Sequence, residues 1–157
     1  AQTQPRTKGA IMQIEIKKQL EELAYKRSIP FCYSDYIECP TGRCTKCGSD
    51  DLMRLVPGVG CEWGIEWVVQ HILETELEPV DLGELFEESV RQIYPETTKV
   101  GWMEFDTVKL MKENDPVGWR CALADYESEE ASEGTILSFD NGSTYYNSQS
   151  IENLIEK

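Results

Sequence analysis

Apolar residues recur along the chain with two different periods, and the changes between them mark out its elements. Ile16, Leu20, Leu23 and Ala24 follow helical spacing, with Lys17, Lys18, Glu21 and Glu22 opposite, so the pattern predicts an amphipathic helix over 13–27. Ser28 and Pro30 end it. A broader stripe, Ile65, Val68, Val69, Ile72 and Leu73, widened by Trp63 and Trp67, predicts a nearly buried central helix over 62–77. The two tryptophans are read as core packing rather than as a ligand platform. After Pro79, Leu82, Leu85, Phe86, Val90 and Ile93 predict a helix over 81–94, with Asp81 and Glu84 in a capping-box arrangement and Pro95 as its stop. Phe105, Val108 and Met111 predict a short helix over 105–113, which Asp106 can cap.

The last third reads as sheet. Trp119, Cys121 and Leu123 alternate with other residues and predict a strand over 119–126, followed by an acidic loop over 127–134. Two further strands, 135–139 and 144–147, flank Asn141-Gly142, a two-residue hairpin signal that sets Leu137 opposite Tyr146. Ser148 can cap a final helix through Ile151, Leu154 and Ile155. Residues 1–11 carry no pattern and are expected to be a disordered arm or tag, leaving 12–157 as a single domain.

One stretch is explained by neither period. Between Phe31 and Cys61 lie five of the six cysteines, with short strands expected around 33–37 and 52–56 and a turn at Pro57-Gly58-Val59-Gly60. The segment has too few apolar residues to hold itself, and a bound ion would supply what a core does not. In Cys44-Thr45-Lys46-Cys47-Gly48 the two-residue spacing lets both sulfurs turn toward one ion, and Gly48 permits the positive φ that aims backbone N–H groups at them. Arg43 and Lys46 add positive charge that favours thiolate.

Cys39, Cys44 and Cys47 are the first three expected ligands. The fourth is Cys61 or Cys32. Cys61 is favoured because a hairpin could return it to the metal at a helix start, while Cys32 gives a compact C-x6-C-x4-C-x2-C set. The run from Cys44 to Met53, CTKCGSDDLM, resembles the zinc-ribbon class: knuckle, glycine, then strand. That resemblance covers about ten residues and implies a structural zinc. A redox C-x-x-C would have to open a helix, which Gly48, Asp50 and Asp51 oppose. Free or partly oxidised thiols and an iron–sulfur cluster are other readings, and a secreted disulfide protein would spread its cysteines more evenly. Cys121 is read as a core residue.

Charge narrows the function classes. Fifteen Lys and Arg stand against 29 Asp and Glu, for a net charge of −14, so nothing attracts nucleic acid or an anionic membrane. No run of apolar residues is long enough to span a bilayer. Clustered cysteines fit a reducing compartment, taken as the cytoplasm. No phosphate-binding glycine loop, nucleophile elbow or H-E-x-x-H helix occurs. The lone histidine, His71, falls inside the predicted 62–77 helix, about 15 Å along its axis from Cys61, too far to share an ion with it.

The fold expected is α+β: helices packed on a small C-terminal antiparallel sheet, with a zinc-ribbon-like module over 31–61 near the N-terminus. The function expected is that of a zinc-stabilised acidic adaptor or regulator binding another protein, one with a basic surface. The rivals are a nucleic-acid mimic that occupies a basic groove, and a small enzyme built around His71, Trp63, Trp67 and acidic side chains.

Overall fold

The structure is a computed structural model that describes residues 7–157. It is α+β, with six helices and small antiparallel sheets among the described residues. Residues 1–6 of the expected arm lie outside the described residues. The chain groups into two compact units, 12–78 with 149–157, and 79–148 with 7–11.

In the first unit, helix α1 covers Lys8–Arg27 and so takes in residues 8–11 of the segment read as an arm. It starts early because Thr7 Oγ1 accepts from the Ala10 N–H at 3.1 Å, a cap ahead of the first apolar period. Ile16, Leu20 and Ala24 are buried, as their spacing predicts. Beyond its end, Ser28 Oγ donates to the Ala24 carbonyl at 2.7 Å. Arg54 donates to the carbonyls of Tyr25 and Ser28 and to Ser28 Oγ. These bonds satisfy helix-end acceptors that the helix itself leaves open.

Four short strands follow: β1 (Ile29–Cys32), β2 (Ile37–Glu38), β3 (Met53–Val56) and β4 (Gly60–Glu62). They form one antiparallel sheet in the order β2-β1-β3-β4. The turn between β3 and β4 sits where Pro57 to Gly60 predicts it, with Gly58 at φ 79°. Trp63 is 53 % exposed and lies between β4 and helix α2 (Glu66–Glu76), so the central helix starts later than its stripe suggests and Trp63 is no core residue. Trp67 is half-buried and its indole donates to the Glu62 carbonyl. Val68, Val69, Ile72 and Leu73 are buried.

The second unit opens with α3 (Leu82–Ile93), where Asp81 accepts from the Glu84 N–H as expected. A hairpin, β5 (Thr97–Val100) and β6 (Met103–Asp106), then precedes α4 (Thr107–Asn114), which Asp106 caps through the Lys109 N–H. Gly101 opens the hairpin's two-residue loop at φ 64°, a sign most side chains resist.

The largest correction is α5, Pro116–Glu133. The strand predicted over 119–126 and the loop predicted over 127–134 are one helix. Asp115 accepts from the Gly118 N–H, Pro116 occupies the first turn, and Gly134 ends it in the left-handed conformation at φ 81°. Trp119, Leu123 and Tyr126 pack against Phe86, Val90 and Val108, at i, i+4 and i+7. That helical period outweighs the alternation of Trp119, Cys121 and Leu123, and Cys121 is exposed rather than in the core.

The C-terminal sheet is therefore only a two-stranded pair, β7 (Ile136–Leu137) with β8 (Tyr146–Asn147). Leu137 does face Tyr146, and Asn141 and Gly142 both have positive φ, 59° and 89°. Helix α6 (Ser148–Glu156) closes the chain, with Ile151 and Leu154 buried.

Candidate metal centre

The cysteine segment is built on β1 and β2 and on the turns after them. Cys32 ends β1 and pairs with Ile37 across a tight turn at 33–36, in which Tyr36 has φ 55° and stacks edge-on against Phe31. The Cys39 N–H returns to the Pro30 carbonyl at 2.7 Å. Cys44 then begins a closed turn: its N–H donates to the Ser49 carbonyl, and the Gly48 N–H donates back to the Cys44 carbonyl, both at 2.9 Å. Gly48 has φ 73°, and the Arg43 guanidinium fastens its carbonyl at 3.0 Å. The Cys47 N–H points at Cys44 Sγ at 3.5 Å, the knuckle arrangement that the spacing predicts. This turn is not a helix start, as a redox motif would require.

The sulfurs converge. Cys32 Sγ and Cys47 Sγ lie 3.7 Å apart. Asp35 Oδ2 is 3.1 Å from Cys44 Sγ and 3.6 Å from Cys32 Sγ. One donor atom from each of Cys32, Asp35, Cys44 and Cys47 lies within 4.8 Å of the other three, close enough to hold one metal ion. Cys32, Cys39 and Cys44 are buried at 4 %, 1 % and 2 % exposure, with Ile37 and Leu52 packed around them, while Cys47 faces solvent. All six cysteines are free thiols.

The electrostatics reflect this crowding. Thiol hydrogen bonds from Cys44 and Cys47 hold the Asp35 carboxyl below its usual range. Burial and the neighbouring Cys44 push the Cys39 thiol up. The Cys47 N–H draws the Cys44 thiol down. At Cys47 the Ser49 backbone bond favours thiolate, but Asp35 and Cys44 outweigh it and push the thiol up to about 12. A divalent cation would reverse that repulsion by its own charge.

Cys44 and Cys47, expected as ligands, are therefore together. Cys39 is buried beside Cys44, with its thiol donating to the Ile37 carbonyl at 3.6 Å. Cys61 is not in the group. It sits on β4 opposite Leu55, which pairs in turn with Ile29 on β1. That places it two strand spacings across, about 10 Å, and three residues along, about another 10 Å, from Cys32. Cys32, kept open as the alternative, lies in the group. Asp35 was not foreseen. Its signal was present: Cys32 to Asp35 repeats the i, i+3 spacing of Cys44 to Cys47.

No family model, curated protein or solved structure matches the chain. Among the described residues no helix is long and apolar enough to cross a membrane. His71 lies half-buried on α2, with its carbonyl accepting from Thr75 Oγ1.

Proposed function

We propose that the chain is a zinc-stabilised, acidic adaptor or regulatory protein that acts by binding another protein with a basic surface. The convergence of Cys32, Asp35, Cys44 and Cys47 carries the metal part of this reading. Tetrahedral zinc with bonds of about 2.3 Å sets its sulfurs about 3.8 Å apart, close to the 3.7 Å between Cys32 and Cys47. Sulfur-rich donors favour zinc over calcium or magnesium. Four protein donors leave no position open for water, so the ion is structural and orders a segment that has little core of its own.

Cys32, Cys44 and Cys47 supply three thiolates and Asp35 the fourth donor. A second reading puts Cys39 in the fourth place, favoured by its burial beside Cys44 and by the frequency of four-thiolate structural sites. The net charge of −14 supports a partner of opposite sign.

Metal analysis of protein purified without chelator should return about one zinc per chain. Cobalt substitution then separates the two ligand sets. Asp35→Asn should change the cobalt spectrum and Cys39→Ser leave it unaltered if Asp35 is the ligand, with the reverse if Cys39 is. Protein that contains no metal, with every thiol titratable, would end the zinc reading. Affinity capture from the native host, followed by charge reversal on the recovered partner, tests the adaptor part.

A further inference from the structure

Away from the cysteines, α3, α4 and α5 enclose a groove of about 410 Å³, lined by Phe86, Val90, Ile93, Met111, Trp119 and Ala122. The rings of Phe86 and Trp119 stand 4.7 Å apart and give it a stiff wall. Ile93, on the apolar side of α3, is nevertheless 70 % exposed. Gly118 and Ala122 lie one turn apart on α5; Ala122 carries only a methyl, so a helix laid there comes close, and the Asp115 carboxylate covers the place a Gly118 side chain would take. The same line of α5 continues at i+7 and i+11 with Asp125 and Glu129, both exposed. From Gly118 to Glu129 is about 16 Å of helix, roughly three turns.

The surrounding charge selects the occupant. Residues 79–148 carry fifteen Asp and Glu against five Lys and Arg, a net −10 out of the chain's −14. Three of those five cations already face carboxylates: Arg91 with Asp106, Lys109 with Glu113 and Lys112 with Glu87.

We propose that this groove is the docking site for a basic amphipathic helix of a partner protein. The helix sets apolar side chains at i, i+4 and i+7 into the groove and Lys or Arg against Asp125 and Glu129. A neutral helix would gain nothing from this field and an acidic one would be repelled by it, and a second copy of this chain would bring like charge to like. The inference rests on the adaptor reading and adds the chemistry of the partner's contact.

The test uses the full chain and a labelled Leu/Lys amphipathic peptide of about twelve residues, with a Leu/Glu version as comparison. Anisotropy at about 0.15 M salt should show binding of the Leu/Lys peptide only. Ala122→Trp fills the groove and Ile93→Gln removes its edge, both at constant net charge, and each should weaken binding by about tenfold or more. Two variants keep the test valid should one misfold. Asp125→Asn with Glu129→Gln should also weaken it and flatten its salt dependence, whereas Glu133→Gln, one carboxylate beyond the groove, should stay within about twofold.

Unchanged binding by the folded groove variants would mean that the peptide follows overall charge alone, and overturn the proposal. Equal binding of the Leu/Glu peptide, or a doubling of mass in sedimentation that Ala122→Trp abolishes, would overturn it too. A captured partner whose binding survives Ala122→Trp would sink this groove but leave the adaptor reading standing.

Discussion

Cys32 Sγ and Cys47 Sγ lie 3.7 Å apart although fifteen residues separate them in sequence. One sulfur ends a strand and the other ends a turn, and the two meet beside Asp35 and Cys44. The buried set here, Cys32, Cys39 and Cys44 with Ile37 and Leu52, is small. On the proposed reading a bound ion stands in for core, and its loss should unfold the segment.

Cys44→Ser and Cys47→Ser should each abolish stoichiometric zinc and lower the melting temperature by about 10 °C or more, as should chelation of the wild type, at roughly 2–4 °C per kcal/mol for a chain this size. Cys61→Ser, on the far side of the sheet from Cys32, should retain zinc and melt within a few degrees of wild type. Scanning calorimetry with and without chelator checks both. Zinc lost from Cys61→Ser but kept in Cys44→Ser would reverse the ligand assignment.

Arg54 ties β3 to the end of α1 through Ser28 Oγ, the Ser28 carbonyl and the Tyr25 carbonyl, at 2.9, 2.8 and 3.0 Å. Its ring neighbour Tyr25 lies 5.0 Å away, under the guanidinium. Arg54→Met keeps the aliphatic stem but strands those acceptors, and should cost about 2–3 kcal/mol in urea unfolding. Arg54→Lys should recover less than half of that, because an ammonium does not reproduce the planar fork. Full recovery by lysine would show that charge alone matters there.

Elements with one clear period and a chemical stop were legible in the sequence. Asp81 and Pro95 bracket α3, Asp106 caps α4, and Asn141-Gly142 turns β7 back on β8 with the expected Leu137–Tyr146 register. The miss at α5 has a physical cause. Trp119, Cys121 and Leu123 fit a strand, while Trp119, Leu123 and Tyr126 fit a helix, and an eight-residue window cannot separate the two. The cap at Asp115-Pro116 and the stop at Gly134 would have decided it. At the cysteines the Cys44–Cys47 knuckle was local and readable. The choice between Cys32 and Cys61 was not, because it depends on strand order, with β1 rather than β4 leading into the cluster. Sequence spacing does not encode strand order.

Gly9 in α1 has no room for a side chain. A Cβ there would sit 1.9 Å from the Ala131 carbonyl oxygen near the end of α5, and that neighbour is backbone and cannot swing away. Gly9→Ala normally strengthens a helix by about 1 kcal/mol. Here the overlap should outweigh the gain and leave a net loss of about 1–3 kcal/mol, read as an earlier urea midpoint at unchanged slope. A later midpoint would show that the two helix ends are not in contact in solution.

Asp106 accepts from the Lys109 N–H at 3.0 Å and faces the Arg91 guanidinium at 3.2 Å. Those two contacts hold its carboxyl below the ordinary value of 3.8. The unfolded chain therefore binds this proton before the folded one does. The stability this carboxylate contributes is fully present above 3.8 and is lost as pH falls through the lower, folded value. Asp106→Asn keeps the helix cap but not the charge. The wild type should be more stable than the variant by a constant margin at neutral and mildly acidic pH. The margin should narrow only below 3.8. Paired urea titrations down the acid limb measure it directly. A margin that stays constant to the lowest pH at which both proteins fold would mean that the carboxyl is not held low in the folded protein.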